Sequence, residues 1–252
     1  MVTIYIGVDD TDEAGFSMGT GKLARLLGRE LEKKIPTVQC KGVLRHQLLV
    51  DPRIPYTSHN SPAGLIVTNE GALPVATLAS ICSNFIHGNC APGSDPGLCI
   101  VPEDHINDTV VSFGIRAAKE VVEKCDAYGI SEAIDCYLKE LGGTGDGIIG
   151  ALAAVGLTVY GNAGRFLEYR NRMRKLSALV SVAELRALGI EVLSVDRDAP
   201  VVAGNETVEI DGWPRPRLIG GGPVLLVMSE NRRWVCFDRK NRLKSDEDSI
   251  HE

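Results

Sequence analysis

Apolar residues run almost unbroken over residues 2–8, the pattern of a short strand buried on both faces. Leu23, Leu26, Leu27 and Leu31 then recur at helical spacing, with Arg25, Arg29, Glu30 and Lys33 between them. That spacing predicts an amphipathic helix over 20–34, capped by Thr20 or Ser17 and stopped by Pro36. Residues 37–50 read as a long strand with Gly42 as a bulge position. Three prolines keep 51–62 out of regular structure. A strand over 63–68 follows, then a helix over 73–86 with Pro74 in its first turn, a Gly- and Pro-rich loop over 88–97, and a strand over 98–101. Strand, helix, strand, strand, helix, strand is the order of a ferredoxin-like split βαβ unit. The expected fold class is therefore α+β, with a ferredoxin-like N-terminal part and a mixed α/β second part.

In the second part, Val110, Val111, Phe113, Ile115, Ala118, Val121 and Val122 predict a helix over 104–128, and Ser131 is placed to cap another over 131–141. Residues 142–156, GGTGDGIIGALAAVG, are a glycine-rich loop feeding an apolar helix. A strand over 157–160 and a short helix over 182–188, ended by Gly189, come next. Strand-like runs at 192–195, 201–202, 207–210, 224–228 and 234–237 suggest a β-rich end, with a glycine-rich connection over 215–223. The expected organisation is 1–102, 103–240 and a polar, disordered tail over 241–252.

Charge narrows the function. The formal net charge of −6 over 252 residues excludes a chain that binds nucleic acid through overall basicity, although a local patch is still open. No apolar run approaches the roughly 20 residues of a membrane span, and no basic leader precedes the first strand, so a cytoplasmic protein is expected. The seven cysteines form no Cys-x-x-Cys pair, and the spacing of Cys82, His87, Cys90 and Cys99 fits no strong zinc pattern.

The candidate chemistry begins where the first strand ends. Asp9, Asp10 and Asp12 put three carboxylates within four residues, before a loop that carries Gly19, Thr20, Gly21 and Lys22. Carboxylates at a strand's end suit Mg²⁺, and a glycine-rich helix start suits phosphate, because free amides point outward there. Together they suggest a nucleoside triphosphate site; the plainer reading is a solvated turn with local capping. Lys22 could face the phosphates or simply water. Gly145, Gly147 and Gly150 offer a second helix start, read equally well as phosphate-binding or as small residues needed for close packing. It is no Walker A loop, since Gly-Lys-Ser/Thr is missing. Residues 165–175, with Arg165, Arg170, Arg172, Arg174 and Lys175 around two aromatics, form the one strongly basic stretch, either an RNA contact or a solvated face.

Four stretches carry a family resemblance: Gly7-Val8-Asp9-Asp10-Thr11-Asp12, Gly19-Thr20, the Asp51-Pro-Arg-Ile-Pro-Tyr56 segment, and the glycine-rich start of 145–156. Over roughly 1–160 the sequence resembles the N-terminal half of the archaeal isoleucine-tRNA 2-agmatinylcytidine synthetases. That family consumes ATP to activate an anticodon cytidine and attaches agmatine to it, using a kinase-like domain, a ferredoxin-like domain, and an OB-fold and zinc ribbon that grip the tRNA. The resemblance implies an ATP/Mg²⁺ role for Asp9, Asp10 and Asp12, a phosphate-accepting role for Thr20, and a nucleotide-binding helix start at Gly145, Gly147 and Gly150. Departures are as specific. The family's basic run after Ile-Pro-Tyr is Thr57-Ser58-His59-Asn60-Ser61 here, and Asp146 stands where a basic residue is usual. No counterpart of the OB-fold and zinc ribbon is expected. Two classes therefore stay open, an ATP-dependent phosphoryl-transfer or ligase-like enzyme and a non-catalytic nucleotide-binding or regulatory module. The expected partners are ATP, RNA through 165–175 or a subunit that supplies the tRNA-gripping domains, and a second copy in a homodimer.

Overall fold

The computed structural model describes residues 1–56, 59–196 and 201–238. The chain forms two compact units, Met1–Asn171 and Arg172–Glu252. Both the tail over 241–252 and Thr57-Ser58 lie outside the described residues.

The first unit opens with β1 (Val2–Asp9), α1 (Thr20–Lys34), β2 (Val38–Arg45), β3 (Ala63–Asn69), α2 (Val75–His87) and β4 (Gly97–Pro102). It continues with α3 (Asp108–Ala117), α4 (Lys124–Ala133), β5 (Tyr137–Glu140), α5 (Gly147–Tyr160) and β6 (Arg165–Tyr169). The strands lie in the order β5-β4-β1-β3-β2-β6, each antiparallel to its neighbour. The central strand β1 is apolar on both sides because both sides are covered. Ile4, Ile6 and Val8 meet Leu23, Leu27 and Leu31 of α1 and Leu78, Cys82 and Ile86 of α2 in one core. Across the sheet, Cys99 and Val101 of β4 join Phe113 of α3 and Ala151, Leu152 and Val155 of α5 in a second core. The bulge expected at Gly42 is present, as a register shift between Cys40 and Gly42, but β2 ends at Arg45 rather than running to 50.

Several expectations fail for physical reasons. The single helix over 104–128 is two. Asn107 caps α3 by accepting from the amides of Thr109 and Val110, and a reciprocal pair between Glu123 and Asp126 starts α4 afresh. The helix over 131–141 is the end of α4 followed by β5; Asp135, at a left-handed φ of 50°, turns the chain so that β5 can pair with β4. The strand over 157–160 is the last turn of α5, which stops at Gly161 (φ 75°). A helix buried on every side shows no amphipathic period, so its β-branched end is indistinguishable from a strand by pattern alone. Neither Thr20 nor Ser17 caps α1: its cap residue is Gly19, with no side-chain bond.

The second unit holds β7 (Leu179–Ser181), α6 (Val182–Ala187), β8 (Glu191–Ser194), β9 (Thr207–Glu209), β10 (Arg217–Ile219), β11 (Gly222–Glu230) and β12 (Arg233–Cys236). Its order is β10-β11-β12-β9-β7, with β8 parallel to β11. Residues 201–202 form no strand, and the connection over 215–223 contains β10, which turns into β11 through Gly220 and Gly221, both at positive φ. Among the described residues no helix is long and apolar enough to cross a membrane.

Candidate functional site

Three segments of the first unit meet at the C-terminal end of β1. The strand delivers Asp9, and Asp10 then takes a left-handed φ of 49° that swings the chain away from the sheet. Thr11 is fully buried, and its amide and hydroxyl both donate to the hydroxyl oxygen of Thr20, at 3.4 and 3.1 Å. The Thr20 hydroxyl donates in turn to Oδ1 of Asp12 at 3.4 Å. Thr20 is therefore the buried hub that ties the acidic turn to the start of α1. Gly19 beside it leaves Asp12 room, since a Cβ there would come within 3.1 Å of Oδ2. The loop before β4 is tied in as well, through the Ala91 amide donating to the Thr11 carbonyl at 2.9 Å.

The second helix start reaches the turn from the opposite face of the sheet. A Cβ on Gly150 would sit 1.7 Å from Oδ2 of Asp9, and one on Gly7 would sit 1.8 Å from the Ala151 carbonyl oxygen. On β4 a Cβ at Gly97 would lie 2.1 Å from the backbone of Gly147. Glycines on both partners let α5 lie directly on β1 and β4, and Gly150 is the gap that admits the Asp9 carboxylate. Of the two roles open to these glycines, close packing is the one the contacts of Gly147 and Gly150 display.

Asp95 had no signal in the sequence and has a central place in the structure. Its carboxylate accepts from the amides of Gly145 at 2.7 Å and Asp146 at 3.0 Å and from the hydroxyl of Thr144. One carboxylate thus fills much of the amide nest at which a phosphate was expected. No motif marks it because its partners are some fifty residues away. Lys124 reaches the same loop from α4, 3.4 Å from Glu140 and 3.9 Å from Asp146, and donates to the Thr144 carbonyl. Lys22, by contrast, is exposed and donates to the Ser17 carbonyl at 3.4 Å.

The electrostatics follow from this crowding. Burial, with Asp10, Asp12 and Asp95 nearby, pushes the Asp9 carboxyl up to about 8, against a bond from the Asp10 amide that favours its charged form. Asp10 is pushed up to about 6 by burial and by the charges of Asp95, Asp12, Asp146 and Glu13. Such a group of carboxylates favours either protons or a cation. Among the described residues no three His, Cys, Asp or Glu side chains converge closely enough to hold a metal ion by themselves. Asp9, Asp10 and Asp12 are the carboxylates that could contribute to a cation's shell, with other ligands completing it.

The basic stretch is not one surface. Phe166 and Glu168 of β6 are buried, Tyr169 meets Phe166 edge-on at 5.4 Å, and Arg170 lies over the Tyr169 ring at 5.2 Å.

No family model matches the chain. It is 30% identical over 179 residues to the isoleucine-tRNA 2-agmatinylcytidine synthetase TiaS of Thermococcus sibiricus, a match covering 68% of this chain and 39% of the relative. The synthetase of the same name from Pyrococcus horikoshii is 28% identical over 174 residues, 66% of this chain and 38% of the relative. The chain thus spans about two fifths of the length of these relatives. The crystal structure of TiaS in complex with its isoleucine tRNA and ATP shares the fold, with a TM-score of 0.50 and 24% identity over 62% of this chain and 36% of that one. Over about two thirds of its length, this mixed α/β chain is related to the isoleucine-tRNA 2-agmatinylcytidine synthetases.

Proposed function

We propose that the first unit binds ATP with Mg²⁺ at the acidic turn and serves an ATP-consuming step in the modification of a tRNA. The observation that carries this is the convergence on Asp9, Asp10 and Asp12 of two glycine-lined helix starts, through Thr20 on one side and Gly150 on the other. The likeness to the ATP-bound relative supports ATP as the nucleotide. The strand order β4-β1-β3-β2, with α1 and α2 on one face, supports the ferredoxin-like reading of the first hundred or so residues.

In this reading Asp9 and Asp10, with Asp12 beside them, hold the metal together with phosphate oxygens. Bound Mg²⁺ would neutralise phosphate charge and orient the transferring group. The Lys22 amide donates to the Gly19 carbonyl at 2.9 Å, so the Thr20 and Gly21 amides at the start of α1, which no capping side chain satisfies, are the donors for phosphate oxygens. Asp95 keeps the 142–146 loop in shape, and Lys124 supplies a positive charge beside Asp146, where the family carries its basic residue. Thr20 is the candidate acceptor of a phosphoryl group. Its hydroxyl proton already points to Asp12, so that carboxylate is placed to take it as an O–P bond forms and the bond to the leaving ADP oxygen breaks.

A second reading is a nucleotide-binding module without transfer chemistry. It is favoured by Asp95, which satisfies amides that would otherwise steady a transferring phosphoryl group. Calorimetric titration of Mg²⁺-ATP into the wild type and Asp10→Asn tests the shared premise; binding that needs both magnesium and Asp10 is expected, and binding unchanged by the substitution would refute it. Mass spectrometry after incubation with ATP separates the two readings, since phosphate on Thr20 requires transfer.

A further inference from the structure

The seven cysteines show no paired spacing in the sequence, yet the fold brings together two that the nucleotide site does not use. Cys99 lies on β4, fully buried in the second core, and Cys136 stands half-buried just before β5 at the edge of that core. The register pairs Cys99 with Leu138 and Ile100 with Tyr137, so Cys99 and Cys136 share one face of the sheet as diagonal neighbours. The Cys99 thiol donates to the Cys136 sulfur. Further polar groups surround Cys136. Its Sγ is 3.5 Å from the Ser131 hydroxyl, and His105 clamps the turn before it, donating from Nδ1 to the carbonyls of Ile134 and Asp135 at 3.0 and 2.9 Å. Donation from Cys99, helped by Ser131 and His105, brings the Cys136 thiol down to about 7 against the opposing pull of burial and Asp135. Burial alone pushes Cys82 up to about 12, and it is the main cause of the same rise at Cys40. Deeply buried thiols are inert, whereas a partly exposed thiol beside donors and a histidine is of the reactive kind.

We infer that Cys99 and Cys136 are a peroxide-responsive thiol pair that closes to a reversible disulfide between β4 and the start of β5. The Cys136 thiolate attacks one oxygen of hydrogen peroxide. The S–O bond forms, the O–O bond breaks, and the departing hydroxide takes up a proton and leaves as water, so that Cys136 becomes a sulfenic acid. The Cys99 sulfur then attacks the Cys136 sulfur; the S–O bond breaks and the hydroxyl leaves as a second water with the Cys99 proton. Two thiols lose two electrons, and the peroxide takes them up. Access sets the two roles: Cys136 meets peroxide from solvent, and Cys99, sealed in the core, meets only Cys136. Diagonal neighbours sit roughly 7–8 Å apart at Cα, and a disulfide needs less than about 7 Å, so Cys136 must move in by about an ångström. Its place ahead of the ladder permits this, since β5 begins at Tyr137 and Asp135 is in a left-handed turn. A bond closed by such a movement is strained and easily reduced, as suits a switch and not a structural staple. The inference does not rest on the nucleotide site.

The test exposes the reduced full chain to a few equivalents of hydrogen peroxide near neutral pH, with and without dimedone, and maps the products by mass spectrometry. The wild type should lose two hydrogens, yield a peptide pair linked through Cys99 and Cys136, and return to its starting mass with dithiothreitol. Cys99→Ala should yield no linked pair and should carry dimedone on Cys136 instead, because the sulfenic acid has lost its partner. Cys136→Ser should leave Cys99 reduced after the same exposure. Thermal melts check that the variants fold, and Cys99→Ser replaces Cys99→Ala if the smaller side chain loosens the core. A Cys136 oxidised in the wild type without a bridge would overturn the pairing. So would a link from Cys136 to any other cysteine or to a second chain, or oxidation of Cys99 in the Cys136→Ser variant. A Cys136 that stays reduced while the exposed Cys125 is oxidised would overturn its reactivity.

Discussion

Asp9→Asn should stabilise the apo protein while it destroys the nucleotide site. Folded Asp9 keeps its proton up to about 8, whereas the unfolded chain releases it near 3.8. A carboxyl held above its unfolded value contributes stability that is complete below about pH 4 and is lost as pH rises through 8. Each pH unit between the two midpoints is worth about 1.4 kcal/mol, which sets a ceiling of several kcal/mol on the penalty at pH 9. Asp9 retains some exposure, and water screens the surrounding carboxylates, so a gain of about 1–3 kcal/mol is the working figure. Asparagine is nearly isosteric and can still accept from the Asp10 amide, so little packing changes. The assay is urea denaturation of wild type and variant across pH 4–9 with EDTA present, followed by melts with Mg²⁺-ATP. The variant should be more stable at pH 9, level with wild type near pH 4, and blind to Mg²⁺-ATP. A gain of equal size at both ends of the range would mean that packing, not charge, is responsible; no gain at pH 9 would mean the carboxylates do not strain the fold. A residue whose charge costs stability and whose loss removes binding is the pattern expected of a functional site.

Two further outcomes follow from the packing around the turn. Gly7→Ala puts a methyl 1.8 Å from the Ala151 carbonyl oxygen, and because the obstacle is backbone, α5 must shift; a loss of about 3 kcal/mol in urea unfolding is expected, and a loss below about 1 would show that the helix is not seated as described. Asp95→Ala leaves the Gly145 and Asp146 amides without their acceptor, at a cost of about 1–3 kcal/mol, and amide hydrogen exchange should speed up at those two positions while the interior of α5 stays protected.

The candidate site was half legible in the chain. Asp9-Asp10-Thr11-Asp12 and Gly19-Thr20 stand out because a buried strand, carboxylates and a glycine-rich helix start follow each other without interruption, and the bounds of α1 were readable residue by residue from the leucine spacing and Pro36. Asp95, Lys124 and the match of Gly150 to Asp9 were not readable, because each depends on which distant segments the sheet brings side by side.

Local order is what the run of residues settles unaided. Periodicity marks α1, α2 and the central strands, and residue type places metal- and phosphate-compatible groups at one strand end. Where the pattern lost its period it misled, as along α5, whose every side is buried, and at β5, whose few residues become a strand only by pairing with β4. The purpose of the second glycine-rich stretch emerges only once the layers are packed. Pattern alone left phosphate and packing level, and the contacts of Gly147 with β4 and of Gly150 with Asp9 are those of a helix laid against a sheet at a distance no side chain would permit. Packing also divides the basic stretch, burying Phe166 in the first unit and setting Arg174 on Trp213 in the second, because side-chain burial is a property of the assembled layers and not of the run of charges along the chain.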